Sequence, residues 1–130
     1  MIKFDVIKKY NDGELPWIKE LVLEDDYVIF RLQGDIDVSI IPNFPEGTQH
    51  DKNISKKHFI IDFKDVAHVD SSTIASLVRI FSQLKVVKKK LVVINVTAFL
   101  KNYIEIFKVA LVVKICKSEE QALKIFLKSK

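Results

Sequence analysis

A chain of 130 residues, 48% of them hydrophobic, is the size of one domain and carries enough apolar side chains to bury a core. Charged residues make up 29%, which excludes wholesale disorder. The net charge of +4 rests on scattered lysines, with arginine confined to Arg31 and Arg79, and this argues against a nucleic-acid binder, which gathers Arg, Lys and aromatics on one face. The lone Cys116 excludes a disulfide within the chain and fits a reducing compartment. Met1 to Asp5 holds no apolar signal core, and nowhere is there the run of roughly 18 apolar residues that a spanning helix needs. The expectation is a cytoplasmic protein with no membrane insertion.

Residues 1–16 read as an N-terminal extension, with Ile2, Phe4 and Val6 alternating before the turn signal Asn11-Asp12-Gly13. The main body, residues 17–130, opens at Pro16-Trp17. Trp17 to Leu23 and Tyr27 to Leu32 predict two strands of a hairpin around Glu24-Asp25-Asp26, although Ile29 makes one face less clean. Gly34-Asp35-Ile36-Asp37 follows. Residues 42–57 are expected to be irregular, since Pro42 and Pro45 each remove a backbone donor and clash with a preceding helical turn.

Strand and helix then alternate. His58 to Phe63 is a buried strand, Ser71 to Val87 a helix, Leu91 to Val96 a strand, and Thr97 to Lys108 a helix with Thr97 as N-cap and Phe99, Leu100, Tyr103, Ile104 and Phe107 along one side. Leu111 to Cys116 is a strand, and Ser118-Glu119-Glu120-Gln121 starts a last helix with a capping box. This alternation calls for an α/β domain with a mainly parallel sheet covered by helices. Ile61, Leu77, Phe81, Val93 and Leu123 are the expected core.

Little enzymatic chemistry can be assembled. His50, His58 and His68 lack metal-ligand spacing, and three glycines cannot form a phosphate loop. Ser71 follows a strand and opens a helix but lacks the glycines of a nucleophile elbow. No catalytic residue, metal or cofactor is expected. Asp35, Asp37 and Asp70 each follow a predicted strand. They suit turns and caps, and on neighbouring strands they would share one end of the sheet, as acid–base or Mg²⁺ chemistry requires. Asp70-Ser71-Ser72 stands where a buried strand hands over to an amphipathic helix. Its side chains can cap the helix, and a phosphate on serine there would meet free N–H groups and the positive end of the helix dipole.

Three stretches together resemble the STAS domain family, which takes its name from sulphate transporters and anti-sigma factor antagonists. They are Phe30 to Asp37, with its strand followed by Gly-acid-apolar-Asp; Ile60 to Ser72, with its strand, turn and Asp-Ser-Ser; and Phe107 to Leu111 with Ile115 to Leu123, including Glu-Glu-Gln-Ala-Leu. The resemblance covers about residues 17–128. It implies a single compact α/β domain with a mixed, mainly parallel sheet, acting as a non-enzymatic regulatory protein-binding module. By that resemblance, Ser71, with Ser72 as the fallback, is the phosphoacceptor of a partner serine kinase that is also an anti-sigma factor. A PP2C-type phosphatase resets it, and Asp35, Asp37, Asp70, Ser71, Ser72 and Thr73 form the partner surface. The alternative is a STAS subunit that binds a transporter ATPase or a signalling assembly constitutively. The chain departs from the family pattern in having Thr73 where glycine usually follows the paired hydroxyls, Lys88-Lys89-Lys90 where glycine precedes the next strand, and Ala110 in place of glycine before Leu111.

Overall fold

The computed structural model describes residues 18–36, 57–106 and 113–127. In chain order these form β1 (Ile18–Leu23), β2 (Tyr27–Ile36), β3 (His58–Val69), α1 (Ser71–Val86), β4 (Leu91–Ile94), α2 (Ala98–Ile106), β5 (Lys114–Cys116) and α3 (Glu119–Leu127). The expected extension over 1–16, nearly all of the 42–57 segment, Asp37, His50 and Phe107 lie outside the described residues.

The strands form one five-stranded mixed sheet in the order β1-β2-β3-β4-β5. β1 and β2 are an antiparallel hairpin, and β2–β3, β3–β4 and β4–β5 are parallel. The Lys57 ammonium holds the hairpin turn, donating to the carbonyls of Glu24 at 2.6 Å and Asp25 at 2.7 Å. The less regular alternation in β2 has a simple cause: both faces of the sheet are covered. Val28, Phe30 and Leu32 join Phe59, Ile61, Phe63, Leu91 and Val93 beneath α1 and α2. Ile29 points the other way, joining Ile60, Val92 and Ile94 under Ala122 and Phe126 of α3.

The expected core is correct at Ile61, Val93 and Leu77, each no more than 2% exposed. Phe81 and Leu123 are only half-buried and pack at the margins. Ile74, Leu77, Ile80 and Leu84 hold the centre of the α1 face, and Ala122 and Phe126 that of α3, which leaves Phe81 and Leu123 to the sides.

Helix ends follow local chemistry. Thr97 Oγ1 accepts the Leu100 N–H at 3.1 Å, as an N-cap does. Ser118 Oγ accepts the Gln121 N–H at 3.3 Å, while the Gln121 side chain reaches back to the Lys117 N–H at 2.9 Å, one residue earlier than the standard box. α1 ends in a Schellman arrangement: Lys89 N–H donates to Leu84 O at 2.9 Å and Lys88 N–H to Lys85 O at 3.0 Å. Lys88, at φ 61°, occupies the left-handed position that usually takes glycine.

The largest departure from expectation is the length of β2 and β3. β2 runs on to Ile36 and β3 to Val69, so Asp35 lies within a strand rather than after one. Pairing shifts twice along this ribbon, between Arg31 and Gln33 and between Gly34 and Asp35, each time adding a residue to β3. These bulges convert two-residue alternation into the spacing Phe63, Val66, Val69, all buried. Gly34 supplies the φ of +73° at the second bulge. β4 stops at Ile94, two residues early, because Asn95 turns left-handed at φ 56°.

Candidate functional site at the β3–α1 junction

Two parallel strands deliver the acidic residues to one end of the sheet. β2 and β3 run side by side with Asp35 opposite His68 and Ile36 opposite Val69, so Asp35 and Asp70 stand at the same carboxyl edge. Asp35 is exposed and Asp70 half-buried. Asp65, on the same ribbon, is matched by the Lys19 ammonium at 2.6 Å. That hydrogen bond lowers the Asp65 pKa and raises that of Lys19. Among the described residues, the acids of this rim without an ion-pair partner are therefore Asp35 and Asp70.

Asp70, not Ser71, is the N-cap of α1. Its backbone is extended, with φ −129° and ψ −175°, and its carboxylate accepts the Ser72 N–H at 2.9 Å. The same oxygen accepts a short bond from the Ser72 hydroxyl. The Asp70 carbonyl takes the Thr73 N–H at 3.0 Å.

The three successive hydroxyls have different environments. Ser71 is exposed, and its Oγ has no hydrogen-bond partner among the described residues. Ser72 is half-buried and its hydroxyl is committed to Asp70. Thr73 is 3% exposed, with Oγ1 buried and unbonded. Thr73 thus lies in the core and cannot itself touch a partner, a correction to its place in the expected surface.

Beside the junction is a hollow of about 180 Å³ lined by Val66, Ala67, His68 and Val69 of β3 and by Thr97 and Phe99. Phe99 is 51% exposed and rests edge-on against Tyr103, with centroids 4.7 Å apart. The helical pattern places Phe99 with the packed residues of α2. The structure buries Leu100 and Ile104 as that pattern expects but leaves Phe99 at the sheet's edge. The missed signal was its position in the first turn after a parallel strand, where side chains face the carboxyl edge.

The opposite face holds an ionic cluster with no signature in the sequence. Arg31 donates to Asp62 at 2.8 Å, Glu20 at 3.3 Å and Glu119 at 3.4 Å, tying β1, β3 and α3 to β2. Asp62 is 6% exposed and also accepts from Asn95 Nδ2 at 3.0 Å and the Lys64 N–H at 2.9 Å. These bonds satisfy a carboxylate whose burial would otherwise be costly.

A STAS domain family model matches residues 19–122, and the chain belongs to that family. Among solved structures it is similar to a candidate anti-sigma factor antagonist from Thermotoga maritima, with 15% identity over 80% of this chain and 90% of that one and a TM-score of 0.71. It is also similar to the anti-sigma factor antagonist SpoIIAA in its unphosphorylated form, with 15% identity over 83% and 95% of the two chains and a TM-score of 0.68. The phosphorylated Bacillus SpoIIAA matches with 16% identity over 82% and 96% and a TM-score of 0.61. At these identities the likeness is one of fold. Among the described residues, no helix is long and apolar enough to cross a membrane.

Proposed function

We propose that this STAS domain is a cytoplasmic regulatory protein-binding module of the anti-sigma-antagonist type, switched by phosphorylation of Ser71. The kinase would be a serine kinase that is itself the anti-sigma factor partner, and a PP2C-type phosphatase would reverse the modification. The observation that carries this reading is the free, exposed Ser71 hydroxyl in the first turn of α1, between a committed Ser72 and a buried Thr73. The family supports it, as does the likeness to SpoIIAA, a fold solved in phosphorylated and unphosphorylated forms. Among the described residues no base or orienting group is bonded to Ser71, which favours a phosphoacceptor over a nucleophile.

The geometry also suggests how the switch acts. Asp70 already takes the Ser72 and Thr73 N–H groups, so a phosphate on Ser71 finds few free donors in the helix. It also meets the Asp70 charge. Its gain from the helix dipole, on the order of 1 kcal/mol, is offset by that repulsion. Phosphorylation therefore leaves the fold intact and acts outward, on a partner that fits Ser71, the Asp35 and Asp70 rim and the hollow beside Phe99. Added charge and bulk there disrupt the fitted contact.

The test is incubation with ATP and a serine kinase of the anti-sigma type from the same organism, followed by phosphosite mapping and partner-binding measurements. The expected site is Ser71. Ser71→Ala should bind and refuse phosphate, and Ser71→Asp should lose binding only in part, because a carboxylate has less charge and fewer acceptor oxygens. Phosphate on neither Ser71 nor Ser72, with a kinase active on another substrate, would replace this reading with the constitutive subunit.

A further inference from the structure

We propose that a second hollow, between α2 and the start of α3, binds a small organic anion with a phosphate or carboxylate head and an apolar body. The hollow has a volume of about 540 Å³, within the range of about 300–1,000 Å³ common for small-molecule sites. It opens just beyond the carboxyl ends of β4 and β5, the edge at which parallel α/β sheets receive ligands. Among the described residues it shares no lining with the hollow beside Phe99, and the proposal does not rest on phosphorylation of Ser71.

Its chemistry is one-sided. Lys101 of α2 and Lys117 ahead of α3 both line it, and among the described residues no carboxylate does. Neither ammonium has an ion pair or hydrogen bond among the described residues. The nearby acids are turned elsewhere, Glu119 to Arg31 at 3.4 Å and Glu120 to Lys124 at 4.0 Å. The structure therefore holds two unmatched cations against one cavity, an arrangement that an anion relieves. Val96, Ile115 and Cys116 supply an apolar wall, so the preferred ligand carries a hydrocarbon or aromatic body as well as a charge. Gln121 uses its Oε1 on the Lys117 N–H, which leaves its amide N–H₂ as a neutral donor at the mouth.

Cys116 makes the test specific, because it is the chain's single cysteine and lines the hollow. Phenyl phosphate, hexanoate and inorganic phosphate are titrated into isotope-labelled full-length protein, and amide shifts and Cys116 alkylation by iodoacetamide are followed. Phenyl phosphate or hexanoate should shift amides around Asn95, Val96 and Ile115. At ten times its Kd it should slow alkylation about tenfold by mass action. Lys101→Gln and Lys117→Gln should each weaken binding by about tenfold, as expected for loss of a charged hydrogen bond. Lys124→Gln and Ser71→Ala should leave it unchanged. Equal protection of Cys116 in the Lys101→Gln/Lys117→Gln double variant would overturn the proposal. So would shifts spread evenly over all lysine-rich surfaces, or inorganic phosphate binding as tightly as phenyl phosphate.

Discussion

Exchanging the two residues at the head of α1 for alanine separates structural from signalling roles. Asp70→Ala removes the acceptor of the Ser72 N–H at 2.9 Å and of the Ser72 hydroxyl. Loss of an N-cap costs about 0.5–2 kcal/mol, and the missing negative charge at the helix start adds about 0.3–1 kcal/mol. Asp70 is half-buried, so water re-solvates part of what is exposed, and the sum settles near 2 kcal/mol. For a domain of this size that lowers Tm by about 6–10 °C. Ser71→Ala removes a hydroxyl with no bond to lose, and alanine is the better helix former by a few tenths of a kcal/mol. Its stability should therefore stay within about 0.5 kcal/mol of the parent. Urea unfolding followed by circular dichroism measures both, with an unchanged slope as evidence that the unfolded state is comparable. A Ser71→Ala loss equal to that of Asp70→Ala would make Ser71 the cap and remove the basis for regarding its hydroxyl as free.

Lys88→Gly should gain about 1 kcal/mol in the same assay, because the lysine holds φ 61° at the end of α1, and an unchanged midpoint would mean that the turn is unstrained. Leu77→Ala should cost roughly 2–5 kcal/mol, since Leu77 is 2% exposed under α1, and a cost below about 1 kcal/mol would contradict that packing. The Lys19–Asp65 pair should shape both pH limits of stability. Asp65 has a lowered pKa, so its contribution is present above the ordinary carboxylate value near 4 and lost as pH falls through the lowered one. Lys19 has a raised pKa, so its contribution is present below its ordinary value and lost as pH rises through the raised one. Lys19→Gln should flatten both limbs slightly, and salt should shrink the difference, because both side chains are about half exposed.

The alternation of strands and helices was legible because the central strands begin as short unbroken apolar runs, whereas the helices repeat buried residues along one face. The hairpin, the parallel β3–β4–β5 order and the caps at Thr97 and Ser118 followed from local pattern. The extension of β3 past Phe63 was hidden because two bulges turn the period of two into a period of three, which matches neither strand nor helix. Asp62 was readable only as part of a buried strand. Its partners lie 31 residues earlier at Arg31 and 33 later at Asn95, a pairing that only the sheet creates. At the junction the sequence marks the segment, but it cannot say which of Asp70, Ser71 and Ser72 caps the helix. All three residue types favour that position, and backbone direction decides among them.

Thr73, where the family usually has glycine, bears on access to Ser71. Successive residues in an α-helix turn by about 100°, so a side chain two positions after Ser71 lies about 200° around the axis. Ser71 faces out and Thr73 faces in, beside Ile74 and Leu77. The methyl and hydroxyl that threonine adds therefore alter the core and leave the approach to the Ser71 oxygen clear. The cost is a buried Oγ1 without a partner, on the order of 1–3 kcal/mol for an unsatisfied group. Thr73→Val keeps the branched shape and removes that oxygen, so it should raise stability by about 1 kcal/mol or more. On the proposed function it should also leave the rate of Ser71 phosphorylation unchanged. Urea unfolding and a kinase time course on the same variant read the two effects separately. A destabilised Thr73→Val would mean that the hydroxyl is satisfied in solution. A stable variant that the kinase modifies much more slowly would mean that position 73 shapes the kinase-facing surface after all.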